Sequence, residues 1–584
     1  MKVSDYITEF FIEKKIDKIF SYIGRNAHIC DSIDKYEEIE NVFNLHEQGS
    51  GFAADAYARV TGKTAVCTVS SGPGATNLIT TIADCYFDSV PVIFIVGDVP
   101  KAECKGTRNI RQFGFQETDI VTLSESITKY STSIDMVNEL RYKLEKAYFL
   151  SQEGRKGPIL ISIPENLQFI QDYNPLCEPS FFESSEYQRF LNRQEQIVSL
   201  EKETKEVARL INESKQPLIL IGGGVRLADA KEELKELLEK SQIPIVYSLM
   251  GKDIISDDYE YNLGFIGNFG VRHANLTVAN CDLLIVLGSR LDNLQTGRKV
   301  ETFARAANIV QVDIDKNELG IRLNIDLPIV ANVKLFLQQL NQYHFDNNIQ
   351  TWHKHIINYK KMYPSTYTLE SQEKLGNLII SQLSESLYED DIICVDVGEH
   401  QMLVAQSLKT KDKQRILFSG AFGSMGFALP AAIGASLGTG RRVIVITGDG
   451  GFQMNIQELE VIKRRKLPIK IFVINNASLH MVKLRQDTYM DGNSVGSIKD
   501  YSVPSFKSIA QAYGILAMET SGSNIETINE TVKESLCHDF PTLVDIHINA
   551  DETTVTPRLD FNRPFEEMTP YLEDNELKEL MIIE

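Results

Sequence analysis

Two short segments carry residue types suited to divalent-ion and phosphate chemistry. One strand-like run ends in Gly448-Asp449-Gly450, and after 24 intervening residues another ends in Asn475-Asn476. In an open parallel sheet the carboxyl ends of neighbouring strands converge on one crevice, so Asp449 and Asn476 can offer oxygens to one cation. Asp449 brings charge and Asn476 a neutral carbonyl oxygen. A backbone carbonyl just beyond, at Ser478, would complete a hard-oxygen shell with room for ligand phosphates. The pattern reads as a magnesium-diphosphate site. A lone Gly-Asp-Gly is an ordinary strand-to-helix turn; the paired asparagines and the helical stretch between them favour the metal.

The elements that must position these residues are short β-branched runs alternating with helix-like stretches. The runs are TAVCTVS, PVIFIVG, GPILISIP, PLILIGGG, IPIVYSL, CDLLIVLGSR, NIVQVDID, DIICVDVG, RVIVITGDG and IKIFVINN. They predict buried parallel strands with crossover helices, an α/β chain of three domains whose parallel sheets are flanked by helices. The domains fall at 1–172, 190–340 and 365–548. Between them lie a turn-rich stretch at 172–195 and a polar helical one at 333–375 that holds the only tryptophan, Trp352. The tail 549–584 lacks another α/β unit and is expected to cap the body or a site.

Composition narrows the function classes. At 584 residues and 43% hydrophobic the chain exceeds one core, and its formal charge of −20 disfavours nucleic acid and anionic bilayers. The charged N-terminal segment and the lack of a long apolar run predict a cytoplasmic protein. Eight cysteines without metal-ligand spacing read as reduced thiols.

With these motifs the chain resembles the thiamine diphosphate enzymes from about residue 5 to 557, most closely the acetolactate synthase group. The resemblance rests on HEQGSGFAADAYARVTGK, SSGPGATN, DSVPVI, FGFQETDIV, SITKY, RKGPILISIPENLQ, GSMGFALPAAIGA and AYGI, together with the diphosphate signature. It implies pyrimidine-binding, central and diphosphate-binding domains, with thiamine diphosphate and magnesium as cofactors. Glu47 corresponds to the catalytic glutamate. A carboxyl packed against apolar neighbours at the pyrimidine ring nitrogen would start the proton relay that activates the thiazolium carbon. Gln116, Pro73 and Asn77 would complete the reacting end, and Gly24 carries over weakly because SYIGRNAH lacks the usual turn. Met425 would hold the cofactor bent. Val397, Glu399, His400, Gly423, Gly450, Gly451, Leu479, Met481 and Val482 would surround it. An acid at 399, where the family has Gln, must be protonated or paired beside a diphosphate. Because acid and diphosphate ligands come from different domains, the resemblance places the site between subunits of a homodimer or homotetramer.

The same resemblance assigns FAD to the central domain. Gly222, Gly223, Gly224, Leu249, Met250, Gly267, Asn268, Phe269, Gly288, Arg290, Asp313 and Ile314 match flavin-binding positions. The glycines would pass close to the dinucleotide, with Arg290 as a cationic fork and Asp313 as an acceptor. Carboligation has no net redox change, so the flavin would be structural or protective.

Two departures bear on substrate. Leu294 stands where the group has an arginine that clamps the second 2-oxo acid, and Arg485 stands where it has a tryptophan. Leucine cannot replace a bidentate guanidinium, whereas Arg485 can meet an anionic acceptor from another side. His480, replacing a glycine, is a candidate proton donor to the product alkoxide. The reading is a carboligase that decarboxylates pyruvate and passes the two-carbon unit to an acceptor carbonyl, a ketone such as a nucleotide-linked keto sugar. An acetolactate synthase with a rearranged pocket, a 2-oxo acid decarboxylase and a non-catalytic cofactor-binding protein remain alternatives.

Overall fold

The computed structural model describes residues 1–194, 199–366, 374–522 and 524–583. Residues 195 and 367–373 of the two predicted linker stretches lie outside them. The first sheet comprises β1 (Lys18–Ser21), β2 (Glu40–Phe43), β3 (Ala65–Ser70), β4 (Val92–Asp98), β5 (Tyr130–Ser133) and β6 (Ile159–Pro164), in the order β2-β1-β3-β4-β6-β5. The second comprises β7 (Pro217–Ile221), β8 (Ile245–Tyr247), β9 (Asn262–Phe265), β10 (Leu283–Leu287), β11 (Asn308–Asp313) and β12 (Leu327–Val330), ordered β12-β11-β10-β7-β8-β9. The third comprises β13 (Ile392–Val395), β14 (Arg415–Phe418), β15 (Val443–Gly448), β16 (Ile469–Asn475), β17 (Leu516–Ser521) and β18 (Thr542–His547), ordered β14-β13-β15-β16-β18-β17.

All three sheets are parallel, as strands buried on both faces require. Each has a point where the winding reverses: between β1 and β3, between β7 and β10, and between β13 and β15. Ligands of open α/β sheets bind outside the strand ends at such points. The first and third sheets share one order, and the second has the order of doubly wound dinucleotide-binding sheets.

The outer domains pack through two helices, Glu47–Thr61 and Ala428–Thr439. Gly434 sits so close to the Ala53 carbonyl that a Cβ there would lie 1.8 Å from its oxygen. One apolar core accordingly includes Phe52 and Tyr57 together with Phe427, Leu429 and Ile433. Within this interface Arg59 is ion-paired to Asp55 at 2.6 Å and Asp88 at 3.1 Å, with Asp84 at 4.0 Å.

The tail turns back over the central domain. The Leu559 amide donates to the Asn268 carbonyl at 2.7 Å, Asn275 Nδ2 donates to the Phe565 carbonyl, and β19 (Arg558–Leu559) pairs with β20 (Met568–Thr569). Among the described residues no helix is long and apolar enough to cross a membrane.

Candidate active site

At the reversal point of the third sheet, the ends of β13 and β15 open onto a cleft of about 540 Å³. Asp449 begins a helix directly after β15, and Asn476 follows β16. The Ser478 amide donates to Asp449 Oδ2 and to Asn476 Oδ1, both at 3.1 Å. The two predicted ligand oxygens therefore lie around one point. Burial pushes the Asp449 carboxyl up to about 6, against hydrogen bonds from the Gly450 and Ser478 amides that lower it. Among the described residues no three His, Cys, Asp or Glu side chains form a metal-holding group. A cation here would rest on one carboxylate, one amide oxygen and main chain, the shell a magnesium bound to phosphates accepts.

Val397, Glu399, His400, Met425, Gly450, Gly451, Leu479, His480, Met481 and Val482 line the same cleft. Four buried polar atoms on its wall lack partners: Ser478 Oγ, His400 Nε2, Glu399 Oε2 and His480 Nδ1. Such atoms are costly unless a ligand or water meets them. Together with the converging oxygens, they fit a diphosphate and its metal. Burial drives Glu399 up to about 8, and the Val555 amide donates to its Oε1 at 2.8 Å. The acid expected to repel a diphosphate is thus held neutral. Burial lowers His400 to about 4 and also lowers His480, whose Nε2 lies 3.2 Å from Thr554 Oγ1. Burial thus favours the neutral form of both imidazoles.

The glycines also answer to contacts within the protein. A Cβ at Gly450 would meet Leu479 at 2.4 Å, and one at Gly451 would meet Asp396 Oδ1 at 2.4 Å. These two make room for the protein's own side chains. Gly423 has φ +73° with only Val397 nearby at 4.0 Å, so it is an open, left-handed turn on the approach to Met425.

Three contributors escaped the sequence reading. Asp396, buried just after β13, accepts from the amides of Val397, Gly426 and Ala428 at 2.8 to 3.0 Å and so fixes the loop carrying Met425. Burial raises it to about 6. Its place in CVDVG, directly after a strand, was the available signal. Thr553 and Thr554 enter from the tail, Thr553 accepting from Asn476 Nδ2 at 3.0 Å; no local motif marks them.

A second group lies at the reversal point of the first sheet. Asn77 Nδ2 donates to Glu47 Oε2 at 3.0 Å, and the Gly74 backbone approaches Glu47 Oε1. Pro73 and Asn77 belong to the turn after β3, and Gln116, at φ +67°, packs against Gly72 of that turn. Gly24 meets Ser70 at the end of β3. Glu47 is half-buried, and this group does not line the 540 Å³ cleft. Leu294 and Arg485 do not line it either. Leu294 is 54% exposed, and Arg485 is exposed on the helix His480–Tyr489, whose first turn forms the cleft wall.

In the central domain the predicted flavin residues gather at the reversal point between β7 and β10. The Gly224 amide donates to the Gly288 carbonyl at 2.9 Å, and a Cβ on Gly222 would lie 2.1 Å from the same oxygen. Met250 packs on Gly223, and Gly267 approaches the Leu294 carbonyl. Close contacts within the protein leave no room for a Cβ at Gly222, Gly224 or Gly267. Asn268 and Phe269 are held through their main chain by Leu294, Leu559 and Gln406. Arg290 has one long ion pair, 3.8 Å to Asp292, which leaves its fork free to donate. Burial raises Asp313, and Ile314 is exposed beside it. The cluster is compatible with FAD.

Three family models match in order: the N-terminal thiamine pyrophosphate-binding domain over residues 1–123, the thiamine pyrophosphate enzyme central domain over 204–340, and the C-terminal binding domain over 396–546. The chain belongs to the thiamine pyrophosphate enzymes. It is 35% identical over 546 residues to the acetolactate synthase large subunit of Porphyra purpurea, covering 91% of this chain and 90% of that one. The large subunit from Lactococcus lactis is 33% identical over 554 residues, covering 94% and 93%. Acetolactate synthase 2 of Nicotiana tabacum is 34% identical over 565 residues, covering 94% and 82%. The enzyme is therefore an acetolactate synthase-like, thiamine diphosphate-dependent carboligase.

Proposed function

We propose that the enzyme decarboxylates pyruvate and transfers the two-carbon unit to a ketone acceptor, such as a nucleotide-linked keto sugar, with magnesium as the metal and FAD in the central domain. Leucine at 294, in place of a carboxylate clamp, is the observation that carries the choice of acceptor. Bound thiamine diphosphate supplies a carbon that is both nucleophile and electron sink. Asp449, Asn476 and the Ser478 main chain would hold the metal at the diphosphate, and His400 and neutral Glu399 would border it. Met425, set by Asp396, would fix the bend. Glu47, oriented by Asn77, would hold the proton at the pyrimidine ring nitrogen, and neutral His480 would deliver a proton to the product alkoxide.

Glu47 stands apart from the cleft that holds Asp449 and Met425, which supports a site closed by a second copy of the chain. We infer at least a homodimer. The winding order of the central sheet and the open Arg290 fork support FAD in a structural or protective role.

Labelled pyruvate incubated with a panel of ketones tests the proposal. The expected result is slow turnover with pyruvate alone and a coupled product with a keto-sugar nucleotide. Rapid acetolactate formation from pyruvate alone would instead assign the chain to acetolactate synthesis, and free aldehyde as the main product to decarboxylation.

A further inference from the structure

The helix His480–Tyr489 leaves the cleft carrying Val482, Arg485 and Tyr489 at i, i+3 and i+7, the spacing of one helical face. Val482 is in the cleft wall. At 1.5 Å per residue, Tyr489 lies about 10 Å further along. There its ring stacks on Phe561 of the tail, with centroids 5.0 Å apart and planes 10° from parallel. The Arg298 guanidinium sits 3.7 Å from the same Phe561 ring.

Burial first, then Asp560, raises the Tyr489 hydroxyl, and the guanidiniums of Arg298, Arg558 and Arg485 act against them. Arg558 reaches Asp560 only at 3.9 Å. Among the described residues Arg298 and Arg485 have no ion pair. These three arginines, two of them without an ion pair, gather in a chain of formal charge −20. A single carboxylate ligand needs one such fork. Two or three suit a diphosphate, because each guanidinium matches phosphate oxygens bidentately. Tyr489 is 50% exposed, so its ring has surface available for stacking on a planar base.

We propose that Arg298, Arg485 and Arg558, with Tyr489, form the binding site for the nucleoside diphosphate moiety of the acceptor, about 10 Å along the helix from the cleft. The site rests on the carboligase reading above and deepens it. It explains how an enzyme without a carboxylate clamp selects its acceptor: affinity comes from the distant anionic end, and the ketone is delivered into the cleft by the length of the ligand. Binding energy gathered away from the reacting carbonyl positions it there.

The test uses protein saturated with thiamine diphosphate and magnesium, so that the cofactor's own diphosphate site is filled. Adenosine, cytidine, guanosine and uridine 5′-diphosphates and inorganic pyrophosphate are titrated by calorimetry. At least one nucleotide should bind, more weakly as salt rises. R298A and R558A should each weaken it by about tenfold, the loss of one charge-assisted contact. Y489A should weaken the nucleotide but leave pyrophosphate unchanged. Thermal melts identify any variant that has lost its fold, and R298K, which keeps charge without the fork, should fall between wild type and R298A. No nucleotide binding, or equal binding by wild type and folded arginine variants, would overturn the site. Carbon dioxide release from pyruvate by the wild-type protein is measured separately. Release without nucleotide binding defeats this inference alone, whereas no release with binding intact defeats the carboligase reading and leaves the site standing.

Discussion

Ser419 donates to the buried Asp84 carboxylate at 2.5 Å, joining the loop that leads to Met425 to the N-terminal domain of the same chain. Ser424 donates to the same oxygen at 3.2 Å, and the Gly420 and Ala421 amides donate to Asp88 at 2.9 Å. Burial first, then the neighbouring Asp88 and Asp55, push Asp84 well above the usual carboxylate range. Its Oδ1 serves as the acceptor for both hydroxyls, while Asp55 and Asp88 make the close pairings with Arg59. Asp84→Asn should therefore change unfolding stability by less than about 1 kcal/mol, because the amide keeps the acceptor. Asp84→Ala should cost about 2–4 kcal/mol by leaving two hydroxyls unmet beside a cavity. Denaturant unfolding of the two variants checks this. Equal losses would mean that the charge at 84 matters, not the acceptor.

A second carboxyl, Glu458, gives a pH signature. It accepts from Asn44 Nδ2 at 2.8 Å and the Leu45 amide at 3.1 Å, pinning the turn just before Glu47. Burial raises it from 4.5 to about 7. For an acid raised on folding, the unfolded chain loses its proton near 4.5 while the native protein keeps it to about 7. Stability therefore falls as pH rises across that window and levels off above it. The contribution is at most about 3 kcal/mol. Subtracting the pH–stability curve of Glu458→Gln from that of wild type should isolate this slope; a flat difference would show that Glu458 ionises normally.

How much of this was legible in the sequence follows from burial. All ten β-branched runs are inner strands, hydrophobic because both faces are covered. The six edge strands escaped recognition: β5 reads YSTS and β17 reads LAMETS, since an edge strand faces less core and tolerates hydroxyls and charge. The inner strands β1 and β18 were missed as well, one for its four residues and the other for Asp545 in its middle. At the site, Asp449 and Asn476 were readable because strand ends and turn residues are local in sequence. Thr553 and Phe561 were not, because they reach their places only by the return of the tail.

Metal retention should depend on pH through Asp449. Burial raises its carboxyl to about 6, and a divalent cation needs the ionised form, so below pH 6 binding competes with one proton. Retention of manganese, as a magnesium substitute, together with thiamine diphosphate should weaken about tenfold per pH unit below that point. It should be nearly constant above pH 7. Equilibrium dialysis across this range is the measurement, and Asp449→Asn should bind far more weakly with no such slope.

Glu47→Gln separates proton transfer from binding. The amide keeps an oxygen for Asn77 Nδ2 and nearly the same volume at the start of its helix, so the protein should melt like wild type and keep its cofactor. Carbon dioxide release should fall by about 10²–10⁴-fold, the usual contribution of a positioned acid or base. Turnover within a few fold of wild type would remove Glu47 from the chemistry.

Leu294→Arg asks whether acceptor choice turns on one side chain. The Leu294 carbonyl accepts from the Asn268 amide at 2.7 Å, and that main-chain bond does not depend on the side chain. With 54% of the residue exposed, a guanidinium can be added there without burying charge. A carboxylate fork contributes about 1.5–3 kcal/mol, so acetolactate formation from pyruvate alone should rise about tenfold. Coupling to a large anionic ketone should not improve, since its anionic end would be held elsewhere. Unchanged acetolactate formation in a variant that melts normally would place acceptor selection outside position 294, and Arg485 on the helix His480–Tyr489 would be the next residue to vary.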